Sequence, residues 1–129
     1  MPDWSIKIVP SGSGQGAAFV PDIQGAKPGD PLQAEQDDLV TWNNTTKQTH
    51  QPWPTDADYN VLPDSAVTRG TPNYLCDPIS AGDSSRPSYD VAQPTAPQPA
   101  MWVIFYCCKL HPTVISERGQ IIATVIPSN

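Results

Sequence analysis

The sequence predicts an all-β fold, a sandwich or small barrel of about seven or eight strands. Three observations carry that expectation. Proline supplies 16 of the 129 residues, more than twice the usual share of about 5%, and helix interiors tolerate proline poorly. The apolar residues, 38% of the chain, fall in short β-prone runs bounded by turn residues. No segment shows convincing helical periodicity, and no internal repeat is present. The length suits one domain covering residues 1–129.

The elements follow from alternation and punctuation. Trp4 to Val9 alternates apolar and polar residues and reads as a first strand ending at Pro10. Ser11 to Gly16 is a Gly/Ser turn, Phe19-Val20 a short apolar piece, and Pro28-Gly29-Asp30 a strong turn signal. Leu32 to Glu35 alternates weakly. Gln36 to Asp38 turns the chain into Leu39 to Trp42, the clearest strand of the first half. A polar loop from Asn43 then leads to His50, and Gln51 to Pro54 holds too much proline for a central strand. Residues 55–100 form a long Pro-rich insertion, expected to pack over the barrel. Its short strand candidates are Val61-Leu62, Tyr74 to Cys76 and Ser88 to Val91. Pro94, Pro97 and Pro99 give a stiff lead-in to a strand from Met101 to Cys108. Alternation there puts Trp102, Ile104, Tyr106 and Cys108 on one face and Val103, Phe105 and Cys107 on the other. Both faces are apolar, which marks a central strand covered on both sides. Gln120 to Ile126 closes the fold.

Charge narrows the function. The formal net charge is −6 with only seven Lys and Arg, so no basic patch is available for nucleic acid or anionic lipid. The acidic surface either simply keeps the protein soluble or steers it toward a basic partner. No run approaches the roughly 20 apolar residues of a membrane span, and Met1 to Trp4 lacks the basic and apolar regions of a signal peptide. No nucleophile–base pair, phosphate loop or carboxylate dyad stands out, so no enzyme activity is expected.

The chemistry concentrates around the strand that ends in Cys107-Cys108. His111 lies three residues past Cys108, and His50, the other of the two histidines, also follows a strand-like segment. A thiolate with two imidazoles is the donor set of a soft, trigonal copper site. Zinc is the natural rival, although a structural zinc site wants four ligands, often in Cys-x-x-Cys pairs. Trp53, near His50, is either a loop anchor or part of an apolar collar around the site. Cys107 either pairs with Cys76 or remains a buried free thiol, and the sequence leaves both open.

These segments resemble the cupredoxins, the type 1 or blue copper proteins of the plastocyanin, pseudoazurin and amicyanin kind. Leu39-Val-Thr-Trp-Asn-Asn-Thr-Thr-Lys-Gln-Thr-His50 is similar to their first ligand segment. Phe105-Tyr-Cys-Cys-Lys-Leu-His-Pro112, followed by Gly119 and Ile121 to Val125, is similar to their second. The two segments cover about a third of the chain. The resemblance implies a Greek-key β-sandwich with one copper ion held by His50, Cys108 and His111. It also implies single-electron transfer with a redox protein partner, in a periplasmic or extracellular setting, by a monomeric chain. Copper sequestration or delivery, or a metal-free interaction module, are the alternatives.

Two departures bear on the site. The family's axial Met should fall near Val114, which cannot bind copper, so a centre without an axial protein ligand is expected. Ser116 and Glu117, in a turn lengthened by Ile115 to Arg118, are the other candidates. Gln51 replaces the small polar residue that usually follows the first histidine, which puts the family's tether between the two ligand loops in question.

Overall fold

The computed structural model describes residues 3–11, 16–69, 73–86, 88–91 and 100–125. Eight strands run in the order β1 (Asp3–Pro10), β2 (Ala17–Pro21), β3 (Leu32–Glu35), β4 (Leu39–Asn44), β5 (Pro52–Thr55), β6 (Tyr89–Asp90), β7 (Met101–Cys108) and β8 (Arg118–Thr124). They form two four-stranded sheets, ordered β2-β1-β4-β6 and β3-β8-β7-β5. Both sheets are mixed: β1 runs parallel to β4 and β3 parallel to β8, while the remaining pairs are antiparallel. The expected all-β sandwich is therefore what forms.

Alternation decides what fills the space between the sheets. Ile6 and Ile8 of β1, Val40 and Trp42 of β4, Tyr106 and Cys108 of β7, and Ile121 and Ala123 of β8 all point inward into one core. Tyr106 packs edge-on against Phe19 and Trp42, with ring centroids 4.9 and 5.4 Å away. Trp102 and Ile104 lean on the same core, so the predicted inner face of β7 is the observed one. The outer face is covered as well. Tyr59, held at a positive φ of 63°, meets Phe105 edge-on at 5.7 Å and accepts a hydrogen bond from Gln120 Nε2.

The chain changes sheets between β3 and β4 through a turn with Asp37 at φ 74°. Asp38 is buried there, and its Oδ2 accepts the Trp4 indole N–H and the Glu35 backbone N–H, both at 2.8 Å. That carboxylate joins β1, in one sheet, to β3, in the other.

The insertion differs from expectation in detail. Tyr74 to Cys76 forms no strand, although Leu75 and Cys76 are buried, because tertiary contact here orders side chains without a ladder partner. Val61 makes only an isolated bridge to Thr55. Of the three candidates, the segment at Ser88 to Val91 yields a strand, the two-residue edge β6. Pro52–Thr55 forms a strand, but at a sheet edge, in keeping with a proline content too high for a central one. At an edge, a missing N–H facing away from the ladder costs nothing. The final strand begins earlier than expected, at Arg118; Ile126, most of the Gly/Ser turn and the prolines before Met101 lie outside the described residues. No helix among the described residues is long and apolar enough to cross a membrane.

One close approach sets a stability test. Gly119 pairs with Tyr106 across β7 and β8, and a Cβ at Gly119 would collide with the Tyr106 ring. Gly119→Ala should therefore destabilise the fold by about 1–3 kcal/mol, read as a lowered urea midpoint with an unchanged m-value.

Candidate metal centre

Two loops at one end of the sandwich carry the chemistry. The first leaves β4 at Asn44, whose buried side chain holds the loop together. Its Nδ2 donates to the Gln48 and Ile79 carbonyls at 2.7 and 3.0 Å, and its Oδ1 accepts from the Thr46 N–H and hydroxyl. The loop delivers His50, which exchanges two backbone hydrogen bonds with Ile79 at 3.1 and 2.7 Å. His50 is thereby fixed through both its N–H and its carbonyl.

The second loop leaves β7 at Cys108 as a chain of three-residue steps. The His111 N–H donates to the Cys108 carbonyl, Val114 to His111, and Glu117 to Val114, at 3.0–3.1 Å. The Cys108 N–H closes the circuit on the Glu117 carbonyl at 3.2 Å. These steps bring residues 108, 111 and 117 round to one side.

The two loops are stitched by the backbone of Gln51. Its N–H points at Cys108 Sγ at 3.4 Å, and its carbonyl accepts the Lys109 N–H at 2.8 Å. The tether that a small side chain would supply is made by main chain instead. The Gln51 side chain turns away to the Cys76 carbonyl at 3.1 Å.

The result is a compact donor cluster. Cys108 Sγ lies 3.5 Å from His50 Nδ1 and 3.4 Å from His111 Nδ1. Glu117 Oε1 lies 3.1 Å from His111 Nδ1 and 3.6 Å from His50 Nδ1. One ligand atom from each of these four residues falls within 4.8 Å of the others. His50, Cys108 and Glu117 are buried, while the His111 side chain is 31% exposed.

Burial lowers the pKa of His50, opposed by the nearby Glu117 carboxylate and reinforced by His111, so its imidazole favours the neutral form that binds metals. Burial also pushes the Cys108 thiol up, with backbone N–H groups of Gln51 and Leu110 pulling the other way. A metal cation displaces that thiol proton. The donor set of thiol, two imidazoles and carboxylate thus fits a metal ion.

The structure brings together the three residues named from the sequence and adds Glu117 to them. Glu117 stood as one of two alternatives in the lengthened turn; Ser116 instead lines a surface cleft with Ala18 and Arg118. Met101 sits at the opposite end of β7, about 23 Å along the strand from Cys108. All three cysteines are free thiols. Cys107 lies on the outer face of β7, where burial raises its pKa to about 11, and it forms no bond with Cys76. Trp53 is buried, donates its indole N–H to the Leu62 carbonyl at 2.8 Å and stacks under the Lys109 ammonium at 3.9 Å. It is a loop anchor.

No protein-family model matches the sequence, and no curated protein is similar to it at a significant level. Solved structures do match. A purple cupredoxin from Nitrosopumilus maritimus superposes with a TM-score of 0.54 and 19% identity, over 95% of this chain and 98% of that one. The chain has the cupredoxin fold. A second match is the McoA multicopper oxidase from the hyperthermophile Aquifex aeolicus, with a TM-score of 0.52 and 13% identity. It covers 95% of this chain, which spans 26% of the oxidase.

Within this cupredoxin fold the buried amide of Asn44 is the support on which the position of His50 depends. Asn44→Ala removes the amide's hydrogen bonds to the Gln48 and Ile79 carbonyls and those it accepts from Thr46, and should cost about 1–3 kcal/mol of stability. It should also weaken metal binding about 10–100-fold, as measured by competition with a chromogenic chelator.

Proposed function

We propose that the protein is a mononuclear type 1 copper protein that carries single electrons between redox partners. His50 and His111 supply imidazole nitrogen, and Cys108 supplies the thiolate. The observation that supports this most is the convergence of both Nδ1 atoms on Cys108 Sγ at 3.5 and 3.4 Å, at one end of a cupredoxin fold. Copper bound there supplies the one-electron couple between Cu(I) and Cu(II).

The chain's own part is to hold the donors still. The Asn44 amide and the bridge to Ile79 hold His50, and the two Gln51 main-chain contacts hold Cys108 and its loop. Donors that do not move between oxidation states keep the reorganisation that accompanies each transfer small. His111, the exposed member of the set, is the edge through which an electron enters and leaves. Leu110, next to it in the loop and 47% exposed, adds apolar surface on which a partner can desolvate the contact. The net charge of −6 favours a basic redox protein as that partner, and the setting is periplasmic or extracellular.

Titration of the purified protein with Cu(II) should produce an intense visible thiolate-to-copper band, lost in Cys108→Ser, with reversible one-electron voltammetry. A colourless product, or colour that survives Cys108→Ser, overturns the proposal.

A further inference from the structure

We infer that Glu117 is a fourth protein ligand of this centre, bound through Oε1 and held in place by Gly16 and Ala17 at the start of β2. The assignment rests on the copper reading above and concerns a residue outside its three donors. Glu117 is 1% exposed, and its two oxygens have separate tasks. Oε2 accepts the Ala17 backbone N–H at 2.9 Å. Oε1 points among the donors, 3.1 Å from His111 Nδ1 and 3.6 Å from His50 Nδ1.

A buried carboxylate requires a compensating charge. Among the described residues the ion-pair contacts of Glu117 are the two imidazoles, with no Lys or Arg. A metal cation meets the requirement, since a thiolate and a carboxylate together cancel the two charges of Cu(II).

Gly16 gives an independent line of support. It sits at φ +70°, and a Cβ there would lie 2.6 Å from Val114 Cγ1 and 2.7 Å from Glu117 Oε2. Only glycine combines that backbone conformation with so close an approach, and the approach is what lets the Ala17 N–H reach the carboxylate. With Oε2 held, Oε1 is the oxygen left to bind. A hard, anionic donor favours Cu(II) over Cu(I), so the potential lies below that of a centre with three donors alone.

The test compares copper-loaded wild type with Glu117→Gln, whose amide oxygen can keep the Ala17 hydrogen bond, and with Glu35→Gln, on the exposed side of β3, as control. Loss of outer partners of a metal site alone costs about 10–100-fold in affinity. Glu117→Gln should therefore retain a Cys108-dependent band but shift it, alter the copper hyperfine coupling in electron paramagnetic resonance, and weaken Cu(II) relative to Cu(I) at least about tenfold. That factor raises the potential by about 59 mV. Gly16→Ala, which crowds Oε2 but keeps the carboxylate, should shift the band in the same direction and covers the case in which Glu117→Gln does not fold. Wild-type spectrum, hyperfine coupling and potential in Glu117→Gln, or in Gly16→Ala should the first variant not fold, overturn the assignment while leaving the copper reading intact. Absence of any Cys108-dependent band in the wild type overturns the copper reading itself.

Discussion

The pairing of β5 with β7 is the constraint on which the candidate centre depends. Its register sets Pro52 opposite Cys108 and Pro54 opposite Tyr106, which places the loop that ends at His50 directly over the end of β7. Gln51 then lies where its N–H can meet the Cys108 sulfur and its carbonyl can meet the Lys109 N–H. A slip of one residue would reverse every side chain along β5 and separate the two loops. The prolines are compatible with this pairing because β5 is an edge strand. The Pro54 carbonyl faces outward to the Leu62 N–H, so the nitrogens that lack a proton are not required by the ladder.

Charge imposes a second condition on the same end of the sandwich. A thiol, two imidazoles and a carboxylate are gathered where water is largely excluded. Such a group is costly to bury as separate ions, and coordination to a cation offsets that cost. Hydrogen bonds share the rest: Gln51 supports the sulfur, Ala17 supports one carboxylate oxygen, and Ile79 holds the His50 main chain. The supports come from the residue before β5, from the start of β2 and from the insertion, so the centre is built by more than the two ligand loops. This also explains the buried end of β7, where Tyr106, Cys107 and Cys108 are all inaccessible while Met101 at its other end is exposed.

Much of this architecture was legible in the sequence because it follows from local pattern. Alternation in Trp102 to Cys108 distinguished the two adjacent cysteines, since consecutive residues of a strand must face opposite ways. The strands at Trp4, Leu32 and Leu39 were visible for the same reason. The insertion was harder. Tyr74 to Cys76 has β-prone residues but no ladder partner, and Pro52–Thr55 has a partner despite poor propensity, because a strand is defined by what lies beside it.

The sequence by itself determined an all-β chain, the inward face of β7 and the short list of side chains able to hold a metal, because each depends on residue identity and on a period of two. Only the tertiary structure decided which candidate in the long turn joins that list. Glu117 reaches the cluster because Gly16 and Ala17, 100 residues away along the chain, come close enough for a backbone N–H to orient its carboxylate. No local pattern records a contact between segments so far apart. Likewise, main chain at Gln51 replaces a side-chain tether, and a backbone N–H and carbonyl are present in every residue but proline, which lacks only the N–H, so residue type could not reveal it.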